Sequence, residues 1–143
     1  MNDGTKPPEP TVVEEKVEDR AVRHVIELER GLGREARDTR RVHGAPADIA
    51  SGARAIEVKA SSGWQVRKNG LLYITGPQLR RAGDPNFYVY IVENLGQSDP
   101  SKVEVRVLHG EDLRRLFAGA KADIYQVPVR VGDYAKLPKL GEE

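Results

Sequence analysis

The sequence contains no cysteine and few aromatic or sulfur-containing residues. Among its 143 residues there are one methionine, one tryptophan and two phenylalanines. Without thiols, neither disulfides nor thiolate metal sites can form. No apolar run approaches the roughly 20 residues that a membrane-spanning helix needs, and the polar, proline-rich residues 1–10 do not have the pattern of a secretory signal. We therefore expect one soluble domain, a cytoplasmic location and no membrane association.

Charge is distributed unevenly along a chain whose net charge is only +1. Residues 30–81 carry eleven Lys or Arg against four Asp or Glu, a net charge of +7, whereas residues 1–29 and 82–143 have net charges of −4 and −2. A local basic surface can bind an acidic polymer even when the whole molecule is nearly neutral. The alternative is that these cations are simply solvated on loops and strand edges, and the sequence leaves both interpretations open.

A long amphipathic helix is predicted near the N-terminus. Thr11 followed by Glu14 has the spacing of a capping box, which is typical of a helix start. Gly31 and Gly33 are expected to end the helix. Between these signals, apolar residues recur every three or four positions and should face the core; they are Val17, Ala21, Val25, Leu28 and Leu32.

Downstream of this helix, the apolar pattern changes to the two-residue period of strands. Asn69-Gly70 is the strongest hairpin signal in the sequence, and Pro128 favours a sheet edge for the last strand. Strands are predicted over residues 36–42, 46–51, 53–60, 64–68, 71–75, 87–92, 103–107 and 124–131, and short helices over residues 77–82 and 111–118.

This order of elements predicts an α/β fold in which a mixed β-sheet is flanked by helices in a single domain. The strand over residues 87–92 is apolar on both faces, so both faces should be covered. We expect residues 1–10 to be a disordered lead, residues 11–134 to form the domain and residues 135–143 to be a flexible tail.

Three residues on two neighbouring predicted strands carry the candidate chemistry. Glu57 and Lys59 are two positions apart on a strand and therefore face the same side. The tight turn at Ser51-Gly52 folds the preceding strand back and brings Asp48 towards Glu57. Two carboxylates suit Mg²⁺ or Mn²⁺, which can polarise a phosphoryl oxygen and lower the pKa of a bound water, while a lysine stabilises negative charge.

The pattern Glu-x-Lys alone is common, and the chain contains a second copy at Glu14-Glu15-Lys16. That copy lies in the predicted helix and has no preceding Asp at hairpin spacing. The apolar neighbours Ile56 and Val58 and the position of Asp48 distinguish the first copy. The structural alternative is a surface strand with a Glu–Lys pair that contributes little energetically.

These motifs resemble the NO VEIN C-terminal domain family, a restriction-endonuclease-like group. The resemblance extends from about residue 14 to residue 134. It rests on Ala47-Asp48-Ile49-x-Ser51, Ile56-Glu57-Val58-Lys59, Glu18-x-x-Ala21-Val22-x-x-Val25-x-x-x-Glu29-x-x-x-Gly33, Ile74-Thr75-x-x-Gln78-x-x-x-Ala82, Tyr88-Val89-Tyr90-Ile91-Val92-x-Asn94 and, more weakly, Val127-Pro128-Val129-x-Val131-x-Asp133-Tyr134.

The resemblance implies the PD-(D/E)xK nuclease fold and its catalytic residues. Asp48 and Glu57 would be the metal ligands and Lys59 the catalytic lysine, and we expect the carbonyl of Val58 as a further ligand. Nucleases of this fold often add an acidic residue from the first helix, for which Glu18 and Glu29 are the candidates. The alternative is that both are solvent-facing helix carboxylates.

Candidate nucleic-acid contacts lie on either side of these residues. Arginines are good phosphate partners because their guanidinium groups can bind phosphate in a bidentate manner. The alternatives are a solvated charged segment for the arginines and a helix start for Gln78. The candidates are Arg34, Arg37, Arg40, Arg41 and Gln78.

The sequence therefore predicts a nuclease dependent on Mg²⁺ or Mn²⁺ that hydrolyses phosphodiester bonds, most simply in DNA, in defence or DNA repair. A homodimer, or a helicase, ATPase or methyltransferase partner, would supply specificity that so small a chain cannot. The first alternative is a catalytically silent module of the same fold that binds nucleic acid or a partner protein. The second is a defence effector that acts on RNA.

Overall fold

The structure is a computed structural model that describes residues 16–121 and 125–143. The elements of these residues alternate between helices and strands along the chain. The helices are α1 Val17–Gly31, α2 Val66–Asn69, α3 Gly76–Leu79, α4 Gly110–Phe117 and α5 Val131–Lys136. The strands are β1 Ala36–Asp38, β2 Ile49–Ser51, β3 Arg54–Ala60, β4 Leu71–Ile74, β5 Phe87–Glu93, β6 Glu104–His109 and β7 Tyr125–Pro128.

The described strands form a main sheet and a small two-stranded sheet. The main sheet has the order β1-β2-β3-β5-β6, and β4 pairs with β7 in the second. Only the pairing of β3 with β5 is parallel; the other pairings are antiparallel. The prediction of a single α/β domain with a mixed sheet between helices is therefore confirmed.

Apolar side chains cover both faces of the main sheet. On one face, α1 packs against the alternate β3 residues Ile56 and Val58, which are 0% and 6% exposed. On the other face, Val89 and Ile91 of β5 pack against α4 and the small sheet. As predicted, β5 is covered on both sides. Glu57 and Lys59 alternate with Ile56 and Val58 along β3. Their side chains therefore lie on the face of the sheet opposite α1.

The buried stripe of α1 is rotated from the predicted one. Ala21 and Val25 are buried as expected, but Leu28 and Leu32 are 38% and 46% exposed, and the carboxylate-bearing Glu29 is fully buried. Glu29 can be buried because Arg34, Ser51 and Tyr90 donate hydrogen bonds to its carboxylate. The predicted capping box at Thr11 and Glu14 lies outside the described residues.

The hairpin predicted at Asn69-Gly70 is wrong. Gly70 has a φ of 73° and ends the short helix α2, and the strand that follows pairs with β7 rather than with residues 64–68. A left-handed glycine suits a helix end as well as a hairpin turn. Here a buried carboxylate selects the helix, since Glu93 accepts hydrogen bonds from the backbone N–H groups of Gln65, Val66 and Arg67.

The other predicted strands and helices are present with adjusted boundaries, and residues 1–10 lie outside the described residues. The strand predicted over 36–42 is confirmed only for Ala36–Asp38, and the last strand only for Tyr125–Pro128. The segment over residues 135–143, for which the sequence predicts a flexible tail, contains the end of α5 and then packs on the sheet. Leu137 is 2% exposed, the N–H of Val107 in β6 donates to the carbonyl of Pro138 at 3.0 Å, and the N–H of Leu140 donates to the carbonyl of Val105 at 3.0 Å.

Because Glu93 satisfies the first turn of α2 from a position that is 1% exposed, we expect Glu93→Ala to lower the free energy of unfolding by about 3 kcal/mol or more, as buried N–H groups lose their acceptor. Glu93→Gln should lose less because its amide oxygen still accepts. Urea denaturation followed by circular dichroism measures both. The exposed Glu35→Ala is the control, and an equal effect at both positions would contradict this role of Glu93.

Candidate functional site

The site lies just before the start of β2, on the edge of β3. β2 pairs with β3 only as far as Ile49, so the last residues of β3 have no β2 partner on that edge. Asp48 lies at this point, and its Oδ2 accepts a hydrogen bond from the backbone N–H of Val58 at 2.8 Å. The carboxylate thus replaces the missing strand neighbour and is held against the edge of β3.

The carboxyl group of Asp48 lies close enough to Glu57 to act on the pKa of Glu57, both through its charge and through a side-chain hydrogen bond. The Glu57 side chain is only 13% exposed. Burial, followed by the negative charge of Asp48, raises the pKa of Glu57 to about 8, although Lys59 acts in the opposite direction. With a pKa of about 8, Glu57 holds its proton near neutral pH when no cation is bound.

Lys59 completes the group from the same face of β3. Its Nζ lies 3.9 Å from Oε2 of Glu57 and donates a hydrogen bond to Oε1 of Gln78 at 2.9 Å. Burial lowers the pKa of Lys59, and the charges of Glu57 and Asp48 oppose that effect. Gln78 is itself fixed, because it forms a capping box with Thr75 at the start of α3.

Asp48 and Glu57 line a cleft of about 300 Å³. Two arginines also line it. Arg40 forms ion pairs with Asp19 and Asp38, each at 2.8 Å, and Arg81 pairs with Asp84 at 2.6 Å. The cleft therefore combines a carboxylate pair on one wall with guanidinium groups that are already oriented by acidic neighbours.

The structure places the two candidate helix acids differently. The charge of the exposed Glu18 contributes to the raised pKa of Glu57 and opposes the lowered pKa of Lys59. Glu29 belongs to the separate buried network described above. There burial acts to raise the pKa of Glu29, but the hydrogen bonds from Arg34, Ser51 and Tyr90 bring it below its ordinary value.

The predicted nucleic-acid contacts are likewise divided. Nε of Arg34 lies 2.5 Å from Oε1 of the buried Glu29, so this guanidinium is part of the interior network. Arg40 and Gln78 line the carboxylate cleft, while Arg37 and Arg41 are exposed away from that lining. The predicted metal ligand Val58 contacts Asp48 through its amide N–H.

The sequence reasoning did not identify Thr75 and Arg81 as parts of this site. The pattern Thr75-x-x-Gln78 is itself a capping-box signal, so the fixed orientation of Gln78 could have been predicted. Its contact with Lys59 could not, because it depends on how α3 packs across the end of β3.

The donor set suits a hard divalent cation. A carboxyl group that holds its proton at neutral pH, as Glu57 does, can exchange that proton for Mg²⁺ or Mn²⁺, which prefer oxygen ligands and keep several waters. The part of the chain that the structure describes contains no group of three or more His, Cys, Asp or Glu side chains that could together hold a metal ion. Asp48 and Glu57 are the acidic residues that line this cleft, and they would hold the ion.

Fold and site together define an α/β domain that presents a carboxylate pair and a lysine at the edge of a mixed sheet. The chain belongs to the family described as protein NO VEIN, C-terminal, whose family model matches residues 17–106. This range includes Asp48, Glu57, Lys59 and Gln78. A search of curated proteins and a search of solved structures found no match. Among the described residues, no helix is long and apolar enough to span a membrane.

The carboxylate pair predicts an unusual dependence of stability on pH. The folded-state pKa of Glu57, about 8, lies above the ordinary value of 4.5. The unfolded chain therefore releases this proton first, and the metal-free protein should lose stability as pH rises from 4.5 to 8. Glu57→Gln removes this ionisation, so we expect it to match wild type near pH 5 and to exceed it at pH 8 by on the order of a few kcal/mol.

Urea denaturation in EDTA at both pH values measures this effect. Glu35→Gln is the matched control, because it removes an exposed carboxylate and should change stability equally at pH 5 and pH 8. If the stability difference between wild type and Glu57→Gln did not grow with pH, Glu57 would not have the raised pKa.

Proposed function

We propose that this protein is a divalent-metal-dependent phosphodiesterase that acts on nucleic acid, with DNA as the first substrate to test. The observation that carries the proposal is the placement of the Asp48 and Glu57 carboxyl groups in one cleft, with Nζ of Lys59 3.9 Å from Oε2 of Glu57. A restriction-endonuclease-like arrangement of these residues belongs to the same proposal. Family membership supports it, since the matched range contains all three residues.

The energetics of the pair support a metal-binding role. Two like charges at partly buried positions destabilise the folded protein unless they are neutralised. By contrast, the buried Glu29 has a complete set of donors. Glu57 is therefore a carboxylate whose environment favours a proton or a cation, and such perturbed acids are typical of functional sites.

Each side chain has a distinct role in the proposed reaction. When bound, the cation would polarise a phosphoryl oxygen and lower the pKa of a bound water. Asp48 and Glu57 would hold it from the edge of β3. The hydrogen bond from Lys59 to Gln78 orients the ammonium group, which is placed to stabilise negative charge on the phosphate. The burial that lowers the pKa of Lys59 also makes its proton easier to donate.

The remaining charged residues would position the substrate and complete the site. Arg40 and Arg81 line the cleft and would hold phosphates next to the scissile one. Glu18 is the favoured helix acid, since its charge acts on both Glu57 and Lys59. A water ligand held by Glu18 would extend the coordination of an ion that keeps part of its hydration shell.

Calorimetric titration with Mn²⁺ and Mg²⁺ tests the metal site without any assumption about substrate. We expect wild type to bind and to release close to one proton at pH 7, so that affinity rises roughly tenfold per pH unit below the pKa of Glu57. Glu57→Gln should lose binding while Glu35→Gln retains it. Binding that is equal in wild type and Glu57→Gln would contradict the assignment.

Digestion of single- and double-stranded DNA and RNA with Mn²⁺ tests the activity. Lys59→Met should reduce cleavage by roughly 100-fold or more, the effect of removing one group that stabilises developing charge. The exposed Lys68→Met is the control. Metal binding with nucleic-acid binding but without cleavage would instead favour the catalytically silent module, and selective digestion of RNA would favour the RNA-directed effector.

A further inference from the structure

A second cleft adjoins the carboxylate cleft on the other side of Lys59. It has a volume of about 240 Å³ and is formed by the end of β3, the start of α2 and strand β4. Lys59 lines this second cleft, and Gln78, the acceptor of its Nζ, lines the carboxylate cleft. A chain molecule that lies across the hydrogen bond between Lys59 and Gln78 would therefore contact both clefts.

Tyr73 presents an exposed aromatic ring in this second cleft. It is 42% exposed, although its strand neighbours Leu72 and Ile74 are 2% and 3% exposed. Those two neighbours anchor β4 in the core, and Tyr73 is paired in register with Gln126 of β7. The backbone beneath the ring is thus fixed on both sides, so stacking on the ring would cost little conformational entropy.

The walls of the second cleft suit an uncharged planar group. Apolar surface comes from Leu71, Leu72 and Val66 in addition to Tyr73. The acidic residue in the lining, Glu93, is already occupied by Ser61 and by the N–H groups of α2. The positive charge of Lys59 lies at the border with the carboxylate cleft, where a sugar-phosphate backbone would pass.

We propose that this second cleft is a nucleobase subsite in which one base of the substrate strand stacks on Tyr73. The proposal rests on the function proposed above and specifies its substrate. A base inside a duplex is stacked between its neighbours and cannot enter, so the subsite requires a single strand or an unpaired base next to the phosphate at the carboxylate pair. Tyr73 is then a determinant of substrate form.

Fluorescence anisotropy of a labelled single-stranded 12-nucleotide DNA in Ca²⁺ tests the subsite separately from cleavage. Tyr73→Ala should weaken binding roughly 5- to 150-fold, the range for losing one base–aromatic stack. Tyr73→Phe keeps the ring and should bind as wild type does. Val131→Ala is the control, since it shortens a 72% exposed apolar side chain on α5, and thermal unfolding verifies that all variants fold.

A single abasic site moved through the same oligonucleotide identifies the stacked base. In wild type, one abasic position should lower the affinity by the same factor as the Tyr73→Ala substitution. In Tyr73→Ala, the same abasic position should cause no further loss of affinity. Equal abasic penalties in both proteins, or wild-type affinity of Tyr73→Ala, would overturn the subsite. Absence of wild-type binding would overturn it too.

Failure of the subsite and failure of the proposed function give different results. Binding that depends on Tyr73 together with no digestion in Mn²⁺ would support the subsite and overturn the phosphodiesterase. Digestion by wild type together with equal activity of Tyr73→Ala on single strands would support the phosphodiesterase and overturn the subsite. Digestion of single strands in preference to blunt duplex, with that preference lost in Tyr73→Ala, would support both.

Discussion

The hydrogen bond from the N–H of Val58 to Asp48 is the contact on which the site depends. β3 needs an acceptor there because β2 begins only at Ile49, opposite Ile56, and an unsatisfied N–H at a strand edge beside the core costs free energy. By supplying that acceptor, Asp48 is brought against Glu57. The proximity of Asp48 and Glu57 therefore depends both on their spacing along the chain and on the shortness of β2.

Three buried or half-buried carboxylates show that hydrogen-bond partners distinguish a structural carboxylate from a reactive one. Glu29 and Glu93 are fully buried or nearly so and accept several hydrogen bonds each. Their donors replace the water lost on burial, so both act as fixed anchors. Glu57 is less buried, with its side chain 13% exposed, but among the described residues it lacks such a set of donors, so burial and then the charge of Asp48 raise its pKa. What distinguishes Glu57 is therefore that no comparable donors in the described part of the chain compensate its burial.

How far the sequence could predict this molecule depends on the range of each interaction. The two-residue alternation around Ile56 and the uninterrupted apolar strand β5 are local signals, and both elements were predicted correctly. Asn69-Gly70 was misread because a left-handed glycine serves two turns equally well, and the choice was made by Glu93, more than twenty residues away in sequence. The burial of Glu29 and the contact of Lys59 with Gln78 are likewise long-range. Neither has a local pattern that a single sequence displays.

The net charge of residues 30–81 is the clearest case in which the linear sequence suggests a more basic surface than the structure has. Arg34, Arg40 and Arg81 pair with acids, and Arg54 pairs with Glu143 from the far end of the chain. The excess of +7 therefore does not translate into an equally basic face, and counterion release contributes correspondingly less to any binding of nucleic acid. In the proposed function the cation displaces the proton of Glu57 and compensates the charges of both carboxylates, so that a phosphate can approach them. Affinity for a strand then rests on the ion and on base stacking more than on a basic groove.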